Sequence, residues 1–245
     1  MKQLEFPKKV IVSEHTTLLR NLSKSQKKFY LGFLNKLIKI YKKAGKKRVV
    51  VALCGPTGSG KSVLAELTRQ LAKQRNLKFS VQQISQDGYH FPNSYLRSHL
   101  KNKRTLKEFK GRYDTYDVVK LKKHLKMFLN GKNITFPGYS RKTHEPFKEG
   151  VKISESNVLL LVEGIWLLYD KGRWKSTSKL FDYSFYIKAD KNKVKSKVIE
   201  RLRRGGRTLK SAKKHYDESD AKNFDLIEKS SVNVNKILKP YYKIK

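Results

Sequence analysis

A glycine-rich octapeptide ending in lysine and serine is the segment of this sequence best suited to do chemistry. It spans residues 55–62, reads GPTGSGKS and satisfies the G-x-x-x-x-G-K-[ST] pattern without a mismatch. In such a loop, backbone N–H groups and the positive end of a helix dipole converge where polyphosphate can bind. Lys61 would reach the β- and γ-phosphates, and the hydroxyl of Ser62 would ligate Mg²⁺. The predicted nucleotide contacts in this segment are Gly55, Thr57, Gly58, Ser59, Gly60, Lys61, Ser62 and Val63.

The flanking segments supply the strand and the helix that this pattern requires. Residues 49–54 form an uninterrupted apolar and largely β-branched run, which predicts a strand buried on both faces. After the loop, apolar residues recur at helical spacing at Val63, Leu64, Leu67 and Leu71. A glycine turn that only joins a strand to a helix would not need the Lys-Ser pair, so we favour phosphate binding.

Two carboxylates follow predicted strands and are candidates for catalysis and metal binding. Asp87 follows a predicted strand over residues 79–84, and Glu163 directly follows the apolar run 158–162. In an open α/β sheet, ligands bind beyond the carboxyl ends of the strands. Asp87 could orient or deprotonate an attacking hydroxyl, and Glu163 could hold Mg²⁺ or its water opposite Ser62. An ordinary turn at Asp87 and a solvated strand end at Glu163 are the alternative interpretations.

Four arginines around two glycines mark residues 201–208 as a candidate lid. The glycines would act as hinges, and the guanidinium groups would clamp the transferring phosphate. We assign Arg204 and Arg207 as catalytic candidates and Arg201 as a nucleotide contact. Complementation of a helix dipole is the alternative, but it would need only one or two cations.

The length of the chain limits the number of domains, and its net charge limits the classes of partner. A chain of 245 residues fits one α/β domain with insertions. Its formal net charge is +37, from 57 Lys and Arg against 20 Asp and Glu. This charge indicates either a footprint for a polyanion, such as nucleic acid, or a lysine-biased surface without a specific partner. We favour the second interpretation because the lysines are scattered along the chain and arginine is comparatively scarce.

The cysteine content, the histidine spacing and the hydropathy of the sequence argue against a disulfide framework, a metal site built from these residues and a membrane-spanning segment. Cys54 is the single cysteine, which excludes a disulfide framework and a thiolate metal site. The six histidines show no metal-ligand spacing. The longest apolar run, residues 158–168, is too short to span a bilayer and contains Glu163. With no signal peptide predicted, we expect a cytoplasmic protein without a transmembrane segment, and the formation of a homodimer stays open.

We predict a single domain over residues 1–245. Residues 1–45 form an N-terminal helical extension, whose helix over residues 25–43 covers the sheet or, alternatively, lies on a membrane surface. Residues 88–150 form an acceptor-binding insertion, in which the proline-punctuated stretch 136–146 is expected to be a loop that carries binding residues.

The order of these motifs resembles that of the P-loop kinases that include uridine kinase, phosphoribulokinase and bacterial-type pantothenate kinase. The similarity covers roughly residues 49–230. The sequence most resembles the members called fructose-transport or nucleoside-triphosphatase-like kinases. Residues 87–90 (DGYH) are similar to their D-G-F-H, and residues 162–168 (VEGIWLL) to their V-E-G-x-Y-L-L. Residues 219–227 (SDAKNFDLI) resemble S-D-x-x-N-x-x-L-I, whereas residues 111–118 depart from R-K-G-x-P-x-T-F-D-V.

The resemblance implies a P-loop NTPase fold, with a doubly wound, mainly parallel sheet flanked by helices. It further implies an ATP- and Mg²⁺-dependent kinase that phosphorylates a hydroxyl of a small molecule. By that resemblance Asp87 is the catalytic base, Lys61 and Ser62 contact phosphate and Mg²⁺, and Glu163 is the acidic residue on the metal side.

The acceptor-binding residues are also transferred by resemblance. Uridine kinases carry P-x-Y-D-x-x-x-H in a substrate loop, but here Ser140 replaces the Asp, and the E-R-G-R-D lid motif is absent. A nucleoside, a pantothenate-like compound and a sugar therefore all stay open as acceptors. The candidates for acceptor binding are Tyr89, His90, Tyr139, Arg141 and His144.

A rival function of another class is a nucleotide-dependent P-loop NTPase associated with nucleic acid or the ribosome. It predicts tight RNA or DNA binding with a steep salt dependence. A P-loop protein that binds nucleotide without reacting is disfavoured, because Lys61, Ser62, Asp87 and Glu163 are all present.

Overall fold

The computed structural model describes residues 4–12 and 14–239, which form an α/β fold. The strands are β1 (Lys9–Val12), β2 (His15–Leu18), β3 (Arg48–Cys54), β4 (Ser80–Ser85), β5 (Leu100–Lys101), β6 (Arg104–Thr105), β7 (Ile134–Ser140), β8 (Glu145–Ile153), β9 (Val158–Gly164), β10 (Tyr183–Ile187) and β11 (Lys236–Leu238). The helices are α1 (Lys24–Ala44), α2 (Lys61–Lys73), α3 (Asn93–Ser98), α4 (Val118–Leu129), α5 (Lys191–Arg204), α6 (Leu209–His215) and α7 (Ala221–Ser230).

A parallel sheet with the strand order β11-β10-β3-β9-β4 forms the centre of the described chain. In its register, Leu53 of β3 lies opposite Glu163 of β9, and Ser85 of β4 lies on the other side of Glu163. Because the strands are parallel, the carboxyl ends of β3, β4 and β9 meet at one edge. The predicted fold class, a mainly parallel sheet flanked by helices, is confirmed.

Successive residues of β3 pack into opposite hydrophobic layers, which is why the strand is apolar at every position from residue 49 to residue 54. One layer, formed with α1 and α2, takes Val49, Val51 and Leu53. The other layer, formed with α4, β7 and the residues after β9, takes Val50, Ala52 and Cys54. Every residue of β3 is buried, as the continuous apolar run predicted.

Helix α1 covers one face of the sheet. It begins after Ser23, whose side chain accepts a hydrogen bond from the backbone N–H of Gln26, and it ends at Gly45 in the left-handed conformation. Phe33 and Leu37 of its apolar stripe are buried in the layer shared with α2. The stripe is therefore occupied by the core, as the first interpretation of this helix predicted.

Two predictions need correction, one about the insertion and one about the N-terminal extension. Residues 136–146 were expected to be a loop, but they belong to the antiparallel hairpin of β7 and β8, with the turn at residues 141–144. Pro137 is tolerated in β7 because the register shifts between Phe136 and Gly138. The N-terminal extension was expected to be helical, but it also contains the hairpin of β1 and β2.

Within the described part of the chain, every helix is too short or too polar to cross a bilayer.

Candidate active site

The glycine-rich loop lies between β3 and α2 and is pressed against α5. Gly58 and Gly60 have φ values of 77° and 88°, which glycine adopts without strain. A Cβ atom on Gly58 would lie 2.9 Å from the Cγ2 atom of Val198 in α5, so a larger residue does not fit there. The loop is thereby held tightly at the amino end of α2. The side chain of Val63, in the first turn of α2, packs against the hydrophobic layer beside α1.

Lys61 follows this loop as the first residue of α2 and is almost fully buried. Its Nζ atom donates a hydrogen bond to the carbonyl oxygen of Pro56 at 2.8 Å and lies 3.5 Å from Oγ of Ser59. Burial lowers the pKa of Lys61, while the charges of Glu163, Cys54 and Asp87 act in the opposite direction. A negatively charged phosphate group next to the ammonium would raise this pKa and stabilise the charged form.

Glu163 and Ser62 bring two oxygen ligands together at the carboxyl edge of the sheet. Glu163 is buried, and burial raises its pKa, opposed chiefly by the charge of Lys61. Hydrogen bonding by the hydroxyls of Ser85 and Ser62 also lowers the pKa of Glu163. Carboxylate and hydroxyl oxygens are the hard ligands that Mg²⁺ takes, so these residues fit the ion that the sequence predicted. Ser85 is a member of the site that sequence reasoning missed.

Asp87 lies in the turn after β4 and faces a set of cations. Its backbone N–H donates a hydrogen bond to Oγ of Ser85 at 3.2 Å, which holds the turn. Its Oδ2 atom forms an ion pair with Nη2 of Arg141 at 3.2 Å. Burial raises the pKa of Asp87, but the charges of Arg141, Arg201 and Lys61 outweigh that effect and hold it below its usual range. Asp87 is therefore ionised at neutral pH.

The candidate lid is not a loop over its whole length. Residues 201–204 are the last turn of α5, and only residues 205–208 form the connection to α6. Arg201 faces the site, since it interacts electrostatically with both Asp87 and Glu163. Arg204 is exposed and pairs with Glu200 on the same helix, so the structure does not bring it to the site.

Arg207 lies in the connection between α5 and α6, directly after Gly206. Gly206 adopts a φ of 91°, and the guanidinium of Arg207 then acts electrostatically on His144 of the β7–β8 hairpin and on Asp220. Arg207 therefore lies at the rim between the hairpin and the end of α6.

The structure brings three of the five candidate acceptor residues near Asp87. Arg141 pairs with it directly, and His90 stacks on Tyr116 with ring centroids 3.8 Å apart and lies 5.4 Å from the ring of Tyr139. The Nδ1 atom of His90 is 3.2 Å from a backbone carbonyl oxygen. Burial lowers the pKa of His90 to about 4, so its ring is neutral at physiological pH.

The other two candidates have different surroundings. Tyr89 is buried in the core, and its hydroxyl lies 3.0 Å from Nδ1 of His124 on α4, so the structure places it among the packed side chains beside α4. His144 is exposed at the hairpin turn with a φ of 55°, and its carbonyl oxygen, more than its ring, takes part in the surrounding hydrogen bonds.

Three further residues of the site, Tyr116, Asp220 and Lys110, were not assigned to it from the sequence. Tyr116 is buried and interacts electrostatically with both Asp87 and Glu163. Asp220 ends the π-helical turn between α6 and α7, hydrogen-bonds to the side chain of Thr57 and interacts with Arg201. Lys110 lies close enough to Asp87 for the two charges to interact. Only Asp220 had a signal in the sequence, as part of the S-D-x-x-N resemblance.

Comparisons with known proteins agree with this geometry. Residues 50–225 match the sequence model of the phosphoribulokinase / uridine kinase family. The chain is 33% identical to protein YggC of Escherichia coli strain K12, and the alignment covers 78% of each chain. It is 31% identical to a pantothenate kinase of Ligilactobacillus salivarius, over 65% of this chain but only 51% of that one, so the chain spans about half of that relative.

A solved structure shows the same fold. It is that of a protein from Silicibacter sp. TM1040 named as a candidate fructose transport system kinase, and it superposes with a TM-score of 0.75 at 20% identity. The superposition covers 85% of this chain and 98% of that one.

Proposed function

Because the chain belongs to the phosphoribulokinase / uridine kinase family, we propose that it transfers the γ-phosphoryl group of ATP to a hydroxyl of a small molecule. One observation carries the proposal. Lys61 at the amino end of α2, Glu163 at the end of β9 and Asp87 after β4 come from distant parts of the sequence and interact electrostatically at one edge of the sheet.

In the proposed reaction, Asp87 receives the acceptor. The hydroxyl oxygen attacks the γ-phosphorus, the bond to the β–γ bridging oxygen breaks, and the hydroxyl proton passes to the Asp87 carboxylate, leaving ADP and a phosphate ester. Because the neighbouring cations hold the pKa of Asp87 low, this carboxylate is ready as a hydrogen-bond acceptor at neutral pH and orients the hydroxyl.

The cations around the site would stabilise the charge that develops on the phosphoryl oxygens. Lys61 is placed directly after the glycine-rich loop, and Arg201 approaches from α5. Ser62 and Glu163 would hold Mg²⁺, which neutralises phosphate charge when bound. Among the acceptor candidates, Tyr139, His90 and Arg141 would contact the molecule that carries the hydroxyl, with His144 and Arg207 at the rim.

The class of acceptor is the open part of the proposed function. A nucleoside, a pantothenate-like compound and a sugar all carry the required hydroxyl. The proposed function also includes a cytoplasmic location, which is the one expected from the sequence.

The proposed function is tested with ADP release above the rate without acceptor, measured for a panel of nucleosides, pantothenate, sugars and glycerate with ATP and Mg²⁺. We expect at least one member to stimulate ADP release. Asp87→Asn and Lys61→Ala should each lower kcat for that member by about 10²-fold or more. Asp170→Asn, the same chemical change at an exposed residue, is the matched control and should retain activity. A panel without a stimulated member, or full activity of Asp87→Asn, would contradict the proposal.

A further inference from the structure

A cluster of cations lies beside Asp87 on the acceptor side of the site. Lys107 and Lys110 are in the segment between α3 and α4, and the ammonium groups of both reach Oδ1 of Asn93, that of Lys110 at 2.8 Å. Lys110 also donates to the carbonyl oxygen of His144 at 2.5 Å and lies over the ring of Tyr139, 5.4 Å from its centroid. The cluster is therefore anchored to the same hairpin that carries the acceptor candidates.

Positive charge is in excess within this cluster. Burial lowers the pKa of Lys110, and the charges of Lys107 and Arg97 lower it further, to about 8. Glu145 is the carboxylate that acts on both lysines, but both of its oxygens accept from the backbone N–H of Asn93, at 3.1 and 3.0 Å. Among the described residues, neither Lys107 nor Lys110 forms an ion pair with a carboxylate.

This arrangement differs from that of a lysine which only stabilises the fold. Elsewhere in the segment, Lys101 pairs directly with the carboxylate of Asp114 at 2.6 Å. Lys107 and Lys110 instead converge on one neutral amide oxygen, and two partly buried ammonium groups that share an uncharged acceptor repel each other. A bound anion would relieve this repulsion and accept charge-assisted hydrogen bonds from both groups.

Lys110 also lies near the residue that would receive the hydroxyl of the acceptor. Asp87 acts electrostatically on Lys110, and the ring of Tyr139 is in range of both residues. An acceptor whose hydroxyl meets Asp87 would therefore extend past Tyr139 toward the two ammonium groups.

We propose that the acceptor carries a carboxylate or phosphate group, remote from its reacting hydroxyl, and that Lys107 and Lys110 bind this group. The inference rests on the proposed function and narrows its substrate class to anionic hydroxyl compounds. Nucleosides and neutral sugars then lack the group that the cluster recognises.

The test compares anionic compounds with neutral counterparts of the same carbon skeleton. The probes are glycerate and glycerol 3-phosphate against glycerol, and gluconate and glucose 6-phosphate against glucose. Binding is measured by calorimetry on the full chain with a non-hydrolysable ATP analogue and Mg²⁺ present, so that the glycine-rich loop is filled. Turnover is measured separately as ADP release with ATP.

We expect an anionic member to bind at least about tenfold more tightly than its neutral counterpart. Preference for the hydroxy acids identifies a carboxylate, and preference for the phosphate esters identifies a phosphate. Lys110→Gln should remove most of this difference, because it weakens the binding of the anionic compound more than that of the neutral one. Lys110→Arg keeps the positive charge and should retain the difference in affinity. Lys148→Gln, at an exposed position of β8, is the matched control.

Equal binding of anionic and neutral members, or no binding of any anion at millimolar concentration, would overturn the inference. Phosphorylation of neutral acceptors alone would also overturn it, while leaving the proposed function intact. Anion binding that depends on Lys110 but is never followed by ADP release supports the anion site and counts against the kinase reaction. Failure of the proposed anion site and failure of the proposed kinase reaction therefore give different results.

Discussion

The carboxylate of Glu14 accepts hydrogen bonds from the hydroxyl of Ser140, at 3.1 and 3.0 Å, and so joins the turn between β1 and β2 to the tip of the β7–β8 hairpin. The same carboxylate accepts from the backbone N–H of Lys142 at 3.0 Å. These hydrogen bonds lower the pKa of Glu14. Arg141, which pairs with Asp87, lies between the two residues that Glu14 contacts. The N-terminal extension thus contacts the part of the hairpin that reaches the site.

Glu14→Ala is expected to lower kcat/KM for the acceptor about two- to tenfold, mainly through KM, because the hairpin tip loses its hydrogen bonds and Arg141 is held less firmly. Steady-state kinetics with varied acceptor and varied ATP measure this. The KM for ATP should stay constant. Glu149→Ala, the same change on exposed β8, serves as the control. An equal effect of both variants, or a change confined to ATP, would contradict this role of Glu14.

The two arginines in the last turn of α5 are expected to differ. Arg201→Ala should lower kcat by about a hundredfold or more, because its guanidinium faces Asp87 and Glu163. Arg204→Ala should change kcat by less than about threefold, since Arg204 is exposed and paired with Glu200. Single-turnover measurements with saturating ATP test both variants. Equal losses of kcat in the two variants would show that Arg204 enters the site when the connection after α5 closes, as predicted for a lid over residues 201–208.

Gly88 is expected to be required for the position of Asp87. A Cβ atom at Gly88 would lie 2.4 Å from the carbonyl oxygen of Pro137 in β7, so the turn and the hairpin approach too closely for a side chain. Gly88→Ala should lower the free energy of unfolding by about 1–3 kcal/mol and reduce kcat as well. Urea unfolding is the measurement.

Gly32→Ala provides the control for Gly88→Ala. Gly32 is exposed on α1, and a Cβ atom there would meet no atom within 4 Å. Alanine should therefore raise the free energy of unfolding by up to about 1 kcal/mol. Stabilisation by both alanines would show that the contact between Gly88 and Pro137 is not tight.

His90 is expected to make stability depend on pH in the acidic range. Burial, together with the charges of Lys110 and Lys107, lowers the pKa of its ring from 6.5 to about 4, against the opposing charge of Asp87. Between these values the unfolded chain binds a proton and the folded chain does not. The free energy of unfolding should therefore fall as the pH drops from about 6.5 to 4, by about 3 kcal/mol from this residue.

Urea unfolding at several pH values tests this linkage. His90→Gln should show a smaller loss of stability over that pH range than the wild-type chain, because glutamine does not titrate. His99→Gln, at an exposed histidine, should keep the wild-type pH dependence. An unchanged slope for His90→Gln would contradict the assignment.

Local patterns predicted the sheet, the glycine-rich loop and the helix after it. The run 49–54, the carboxylates at the ends of β4 and β9 and the stripe of α1 each depend on residues close in sequence, so periodicity and spacing are sufficient. The segment 136–146 was predicted less well. The β7–β8 hairpin contains a proline and a glycine that favour a loop, and the register shift that accommodates them depends on the partner strand.

The sequence by itself determined the glycine-rich loop between a strand and a helix, the α/β class and the family, because all three depend on patterns of residues close in sequence. The tertiary structure alone decided which side chains meet. It placed Arg201, not Arg204, toward Asp87, buried Tyr89 beside α4, and brought Lys107 and Lys110 to Asn93. Each of these contacts joins residues of different elements or loops, so the packing of those elements, and not the local spacing of residues, sets them.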